Sequence, residues 1–281
     1  MNSRSLYRYT SIGRSLDPSL ATNRAVLILV PLAAVLGAIV RWGDGAGIGQ
    51  VVQAALWFAG VAFGSWALAR ELYPDDNPAA FMSMAAGLLA ALAVDSAGLL
   101  VVFATLGLVR IVNRSTGLPA RKSDSAILMV LAIVVVYTTG SPLFGLVAGL
   151  AFIMDGTLKG PLRHQWLFGL VCAATTVVYV VDHDAGLAQL SAPDSLFQWL
   201  GLLALLVFAL NTLVQKKVHA RGDVNRLRLD VNRVRGGMAI GLLAGLQGIG
   251  RMESVAIIVA VIAGICVGMA VRKGFRAPAS G

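Results

Sequence analysis

The sequence predicts an all-α polytopic membrane protein of about ten transmembrane helices. Hydrophobic residues make up 57% of the 281 residues and charged ones 13%, whereas a soluble domain carries about 25% charged residues. Mean hydropathy is +0.78. Apolar runs approaching the roughly 20 residues of a spanning helix recur from residue 25 to residue 271. The polar stretches between them are strongly unequal in charge.

Residues 1–24 read as a polar, cytoplasmic amino-terminal tail holding Arg4, Arg8, Arg14 and Arg24. No small-residue cleavage site follows the first apolar run, which therefore reads as a membrane helix and not a removed signal. One membrane domain, 25–271, follows, with spans expected at 25–42, 50–69, 79–94, 97–112, 125–140, 141–158, 165–181, 195–214, 236–250 and 254–271. Tight polar turns at 95–98, 138–142 and 250–253 separate paired spans. Residues 272–281 form a cytoplasmic carboxy-terminal tail, and both tails are expected to be poorly ordered.

Charge fixes the count and the orientation. With the amino terminus inside, ten crossings place 21 of the 23 Lys and Arg residues on the cytoplasmic side and leave Arg41 and Arg251 outside, as the positive-inside rule requires. Fusing 125–158 into one helix reverses everything after it and exports the most basic stretch of the chain. The outer face is then nearly all short loops, the longest being the acidic 182–194. The location expected is the cell inner (plasma) membrane. Cationic excess has this simpler cause, so no nucleic acid is expected.

That most basic stretch is 215–237, with seven cations against Asp223 and Asp230. A tandem heptad runs through it, and Val224, Leu227, Val231 and Val234 fall on one stripe of a helix. The expectation is an amphipathic helix on the inner leaflet, with Arg221, Arg226, Arg228, Arg233 and Arg235 on anionic lipid head groups as its partners. The heptad also allows a homodimer.

Matching 31–45 with 142–156 aligns Pro, Leu, Asp and Gly at an offset of 111. This allows an inverted repeat of five plus five helices. In segment count and orientation the chain resembles the drug/metabolite transporter superfamily. The resemblance is architectural, spans the whole chain and carries no residue-level motif.

It implies a transporter of a small solute. The expected spans hold no ionisable group except Asp95, Arg110 and Asp155 near their ends, so no buried ionisable coupling residue is expected. The midplane polar candidates for solute binding are Gln53, Asn211 and Gln247.

The alternative is a membrane-embedded enzyme acting on a lipid or isoprenoid phosphate at the cytoplasmic face. Its phosphate or metal candidates are Asp75, Asp76, Asn113, Arg114, Arg121, Lys122, Asp155 and Arg163. The spaced aspartates of membrane prenyltransferases and the D-G-x₂-A-R pattern of CDP-alcohol phosphotransferases are missing. Asp75 and Asp76 also fit a plain turn between Pro74 and Pro78, with Asn77 capping the next helix. Asp182, His183 and Asp184 read as a solvated loop. Cys172 and Cys266 sit in apolar runs, and no catalytic triad, P-loop, HExxH or CxxC occurs, so neither a cofactor nor a metal is expected.

Overall fold

The computed structural model describes the backbone of residues 7–93, 97–185, 193, 195–247 and 252–276, and within these the side chains of all but 97, 252–255 and 273–276. The expected turns around Asp95 and Arg251 and most of 182–194 lie outside the described residues. Among the described residues there are ten helices: α1 (Ala21–Gly43), α2 (Ile48–Leu72), α3 (Asn77–Ala91), α4 (Ala97–Asn113), α5 (Lys122–Thr139), α6 (Pro142–Thr157), α7 (Gln165–Asp182), α8 (Leu196–Val214), α9 (Val231–Leu246) and α10 (Met252–Arg276). No strand occurs among the described residues.

Local chemistry sets the helix ends. Gly140, at φ 63°, takes the left-handed conformation that stops α5, and Pro142 opens α6 two residues later. Asp76 caps α3 by accepting from the Ala79 N–H at 3.4 Å, with Pro78 in the first turn. The cap is thus one residue earlier than the Asn77 expected: Asn77 is already the first helical residue, and the extended Asp76 is the one whose carboxylate reaches the N–H three residues on. Asp230 caps α9 through the Arg233 N–H at 3.1 Å.

Small residues draw the helices together. On α10, a Cβ at Gly268 would meet the Ala79 backbone, and one at Gly264 would stand 2.6 Å from the Ser83 nitrogen on α3. The Ser83 hydroxyl lies within hydrogen-bonding distance of two carbonyls, Val261 O across that contact (2.8 Å) and Ala79 O in its own helix (2.9 Å), and its single proton serves one of them at a time. Gly149 of α6 and Gly169 of α7 pack equally closely, a Cβ on either lying 3.0 Å from the other's carbonyl oxygen. Close backbone approach through small residues is how helices associate where lipid supplies no hydrophobic drive.

At the centre lies α4, packed on α2, α5, α6, α9 and α10. By contrast α1 packs chiefly on α2. The outer faces of α1, α7 and α8 carry large apolar side chains such as Ile28, Leu167 and Leu213, each more than 60% exposed. Such a surface suits hydrocarbon and not water. Five helices, α1, α2, α5, α7 and α8, are long and apolar enough to cross a membrane; the apolar stretches of α3, α4, α6 and α10 run to 17 residues or fewer.

Successive helices alternate in direction. The segments 7–20, 73–76, 114–121, 158–164 and 215–230 gather at one polar end through hydrogen bonds and ion pairs. Two expectations change here. Residues 7–20 do not trail as a loose tail but pack into that end. The segment 215–230 is not helical.

Its chain instead doubles back, with an antiparallel bridge between Arg221 and Arg228 and Arg226 in the left-handed region at φ 57°. Val224 N donates to Thr116 O at 2.9 Å, and Asn225 Nδ2 to Gly117 O at 3.0 Å. These tertiary bonds hold the first heptad out of helix, and α9 begins only at the second.

Candidate functional site

Two charge networks and a cleft occupy the polar end. The first is built around Glu71, in the last turn of α2 and 1% exposed. Arg110 of α4 donates to its Oε1 at 3.0 Å and Arg14 at 3.2 Å. Arg14 also forks onto Asp223, with Nε and Nη2 both at 2.7 Å. Burial alone would pull the Arg14 guanidinium down, but Glu71 and Asp223 outweigh it and hold the group above the ordinary arginine range. Arg14 therefore ties three distant segments together: the amino-terminal stretch, α2 and the 215–230 loop.

Asp155, at the end of α6 and fully buried, centres the second network. It accepts from Arg114 Nε at 2.8 Å, Arg233 Nη1 at 2.8 Å and Gln165 Nε2 at 2.9 Å. Arg233 also donates to Val112 O at 2.8 Å and Lys159 O at 2.7 Å. One guanidinium thereby satisfies carbonyls at the ends of α4 and α6. Burial is the main reason the Arg114 guanidinium lies below its ordinary value, and nearby Arg233 adds to it against the pull of Asp155.

The remaining phosphate or metal candidates are dispersed. Asp75 accepts from the backbone N–H groups of His219 (2.9 Å) and Ala220 (2.7 Å), and Asp76 takes Arg272 at 3.3 Å besides capping α3. Asn113 donates to Glu71 O at 2.8 Å. Arg121 reaches Tyr7 O at 3.2 Å, while Lys122 and Arg163 are exposed. Only Arg114 and Asp155 of the eight meet in one cluster, and no group of three His, Cys, Asp or Glu among the described residues is placed to hold a metal.

The midplane candidates do not meet either. Gln53 is exposed near the start of α2, and Gln247, at the same far end, accepts from Ser141 Oγ at 2.9 Å. Asn211 lies near the polar end of α8.

Of the five arginines expected at lipid head groups, Arg221, Arg226 and Arg228 are exposed. Arg233 is buried on Asp155 instead, because that carboxylate needs a counter-charge. Arg235 turns back onto Thr212 O at 3.1 Å and Leu213 O at 3.3 Å, closing the end of α8.

The cleft, of about 140 Å³, opens beside the Glu71 network. Phe63 and Trp66 of α2 and Leu20 before α1 supply apolar walls, while Arg70, Arg110 and Arg226 supply charge. Arg70 is stacked over the Trp66 ring, 5.2 Å from its centroid.

Reading the sequence did not single out Arg14, Arg70, Glu71 or Phe63. The available signal was Arg70-Glu71, an adjacent charge pair ending an otherwise apolar helix. No family model matches the chain, and no curated protein or solved structure matches it either.

Proposed function

We propose that the chain is an integral inner-membrane protein in which all ten helices cross, with the polar end in the cytoplasm, and that it transports a small solute loaded from the polar-end cleft. The cleft carries this reading. It is a concave site with convergent polar groups beside apolar walls, the usual form of a small-molecule site. It also adjoins α1, the helix least tied to the rest of the bundle. The cytoplasmic orientation rests on the 21 of 23 cations that fall at this end when all ten helices cross.

A five-plus-five inverted repeat fits part of the packing. The hairpin of α1 with α2 has its counterpart in α6 with α7, and α4 with α5 in α9 with α10. The third pair departs, since α3 and α8 both pack on α10. Asn211 stands at the opposite end of its helix from the level of Gln53 and Gln247, so the three do not form one site and the solute site moves to the cleft.

Native mass spectrometry of the full chain released from its own membranes tests the proposal, followed by counterflow of the recovered molecule in proteoliposomes. The expected result is a stoichiometric small molecule that exchanges across the bilayer unaltered. A molecule that is chemically converted and does not cross would replace transport with the enzyme reading.

A further inference from the structure

The charges around the cleft do not balance locally. Arg14 and Arg110 are engaged by Glu71 and Asp223. Asp17 accepts from its own turn, at Ser19 N, and feels Arg226 across the cleft without touching it. Tyr7, the other titratable group at the cleft, reaches Asp223 through its hydroxyl at 3.5 Å. Arg70 and Arg226 have no carboxylate within 4.0 Å among the described residues.

The two differ in setting. Arg226 stands exposed at the rim. Arg70 is only partly exposed, its guanidinium over the Trp66 ring, and its charged neighbours are the cations Arg14 and Arg110 together with Glu71 and Asp223, carboxylates that those two arginines already bind. A partly desolvated cation with no ion pair of its own gains when an anion joins it. The Trp66 N–H also lacks an acceptor among the described residues.

An arginine at a helix end ordinarily snorkels to bulk head groups. Arg70 instead lies over Trp66 in a cleft closed by residues 14–17, 223 and 226 of two other segments. The available 140 Å³ is several times the ~30 Å³ share of one water, which suits a phosphate group but not a whole lipid. Beside the charges stand Phe63 of α2 and Leu20, the residue just before α1, whose outer face is apolar.

We infer that the cleft binds a phosphate-headed amphiphile, its head between Arg70 and Arg226 and its apolar part against Phe63, Trp66 and α1. This names the substrate class for the transport reading above and rests on the cleft being its site. Arginine suits the head because its planar fork meets two phosphate oxygens at once.

The test is a binding titration of the detergent-solubilised full chain, by native mass spectrometry, with dihexanoyl phosphatidic acid, dihexanoyl phosphatidylcholine, inorganic phosphate and dihexanoylglycerol. Phosphatidic acid is expected to bind at least tenfold tighter than the other three. Arg70→Gln should lower its affinity tenfold or more, and Arg226→Gln, at an exposed position that leaves folding intact, about threefold.

Equal affinity for phosphatidylcholine would overturn the inference, as would wild-type affinity in both variants. Inorganic phosphate binding as tightly as phosphatidic acid would also overturn it, by making the ligand a free anion. Should Arg70→Gln fail to fold, Arg226→Gln decides alone. Transport fails separately: a chain that binds phosphatidic acid but does not exchange it across proteoliposomes keeps this site and loses that role.

Discussion

Replacing Asp155 by asparagine removes the only carboxylate among the described residues that is bonded to Arg114 and Arg233, while keeping the side chain's shape. Arg233 is 4% exposed and would remain buried as an uncompensated cation. Breaking a buried pair in this way costs about 3–5 kcal/mol. The lower end applies, since Arg233 keeps the carbonyls of Val112 and Lys159 and the asparagine oxygen still accepts one N–H. At roughly 2 °C per kcal/mol for a chain of this size, a loss of about 3 kcal/mol lowers Tm by about 6 °C. Scanning fluorimetry of the full chain in detergent reads it. Arg114→Gln is the companion measurement, expected to cost about 1–2 kcal/mol, because Asp155 keeps Arg233 and Arg114 is better placed to reach water. A Tm within about 1 °C of wild type for Asp155→Asn would refute the claim that this carboxylate holds α4, α6 and α9 together.

Two further outcomes follow from packing and from the amino-terminal segment. Gly264→Val places side-chain atoms against the Ser83 backbone, which cannot rotate away, so α3 and α10 must separate. The expected cost is about 1–3 kcal/mol, read as a lower Tm, and an unchanged Tm contradicts the close approach. Burial, then the Asp223 carboxylate, raises the Tyr7 phenol above its ordinary value of 10.0. Because the docked state favours the protonated phenol, its contribution is present in full below pH 10.0 and is lost as pH rises through the higher docked value. Protease protection of the amino terminus should therefore fall at alkaline pH in the wild type and fall less in Tyr7→Phe; identical profiles would refute the linkage.

The helices were legible because each is an apolar run bounded by local signals. Every expected span has a helix over it, and Gly140, Pro142 and Pro78 mark ends that the sequence states outright. The 215–230 loop was not legible. Its apolar spacing fits a helix, and nothing nearby reveals that Asp223 is claimed by Arg14, 209 residues away, or Asn225 by Gly117. Arg233 is a similar case. Composition sends a lone cation to lipid, and only the fold brings Asp155 within 2.8 Å. The cleft was missed because Arg70 and Glu71 look like ordinary interfacial charges until residues 7–20 close over them. The eight phosphate or metal candidates were chosen as polar loop residues, and most serve the loops' own architecture.

The account rests on ten crossings with the polar end in the cytoplasm, and cysteine accessibility tests that most directly. In a background lacking Cys172 and Cys266, the substitutions Asp44→Cys and Asp182→Cys probe the far end, and Lys122→Cys and Lys217→Cys the polar end. All four positions are exposed. A membrane-impermeant maleimide is predicted to label the first two only in right-side-out vesicles and the last two only in inside-out vesicles. Labelling of one far-end and one polar-end site from the same side would contradict the account.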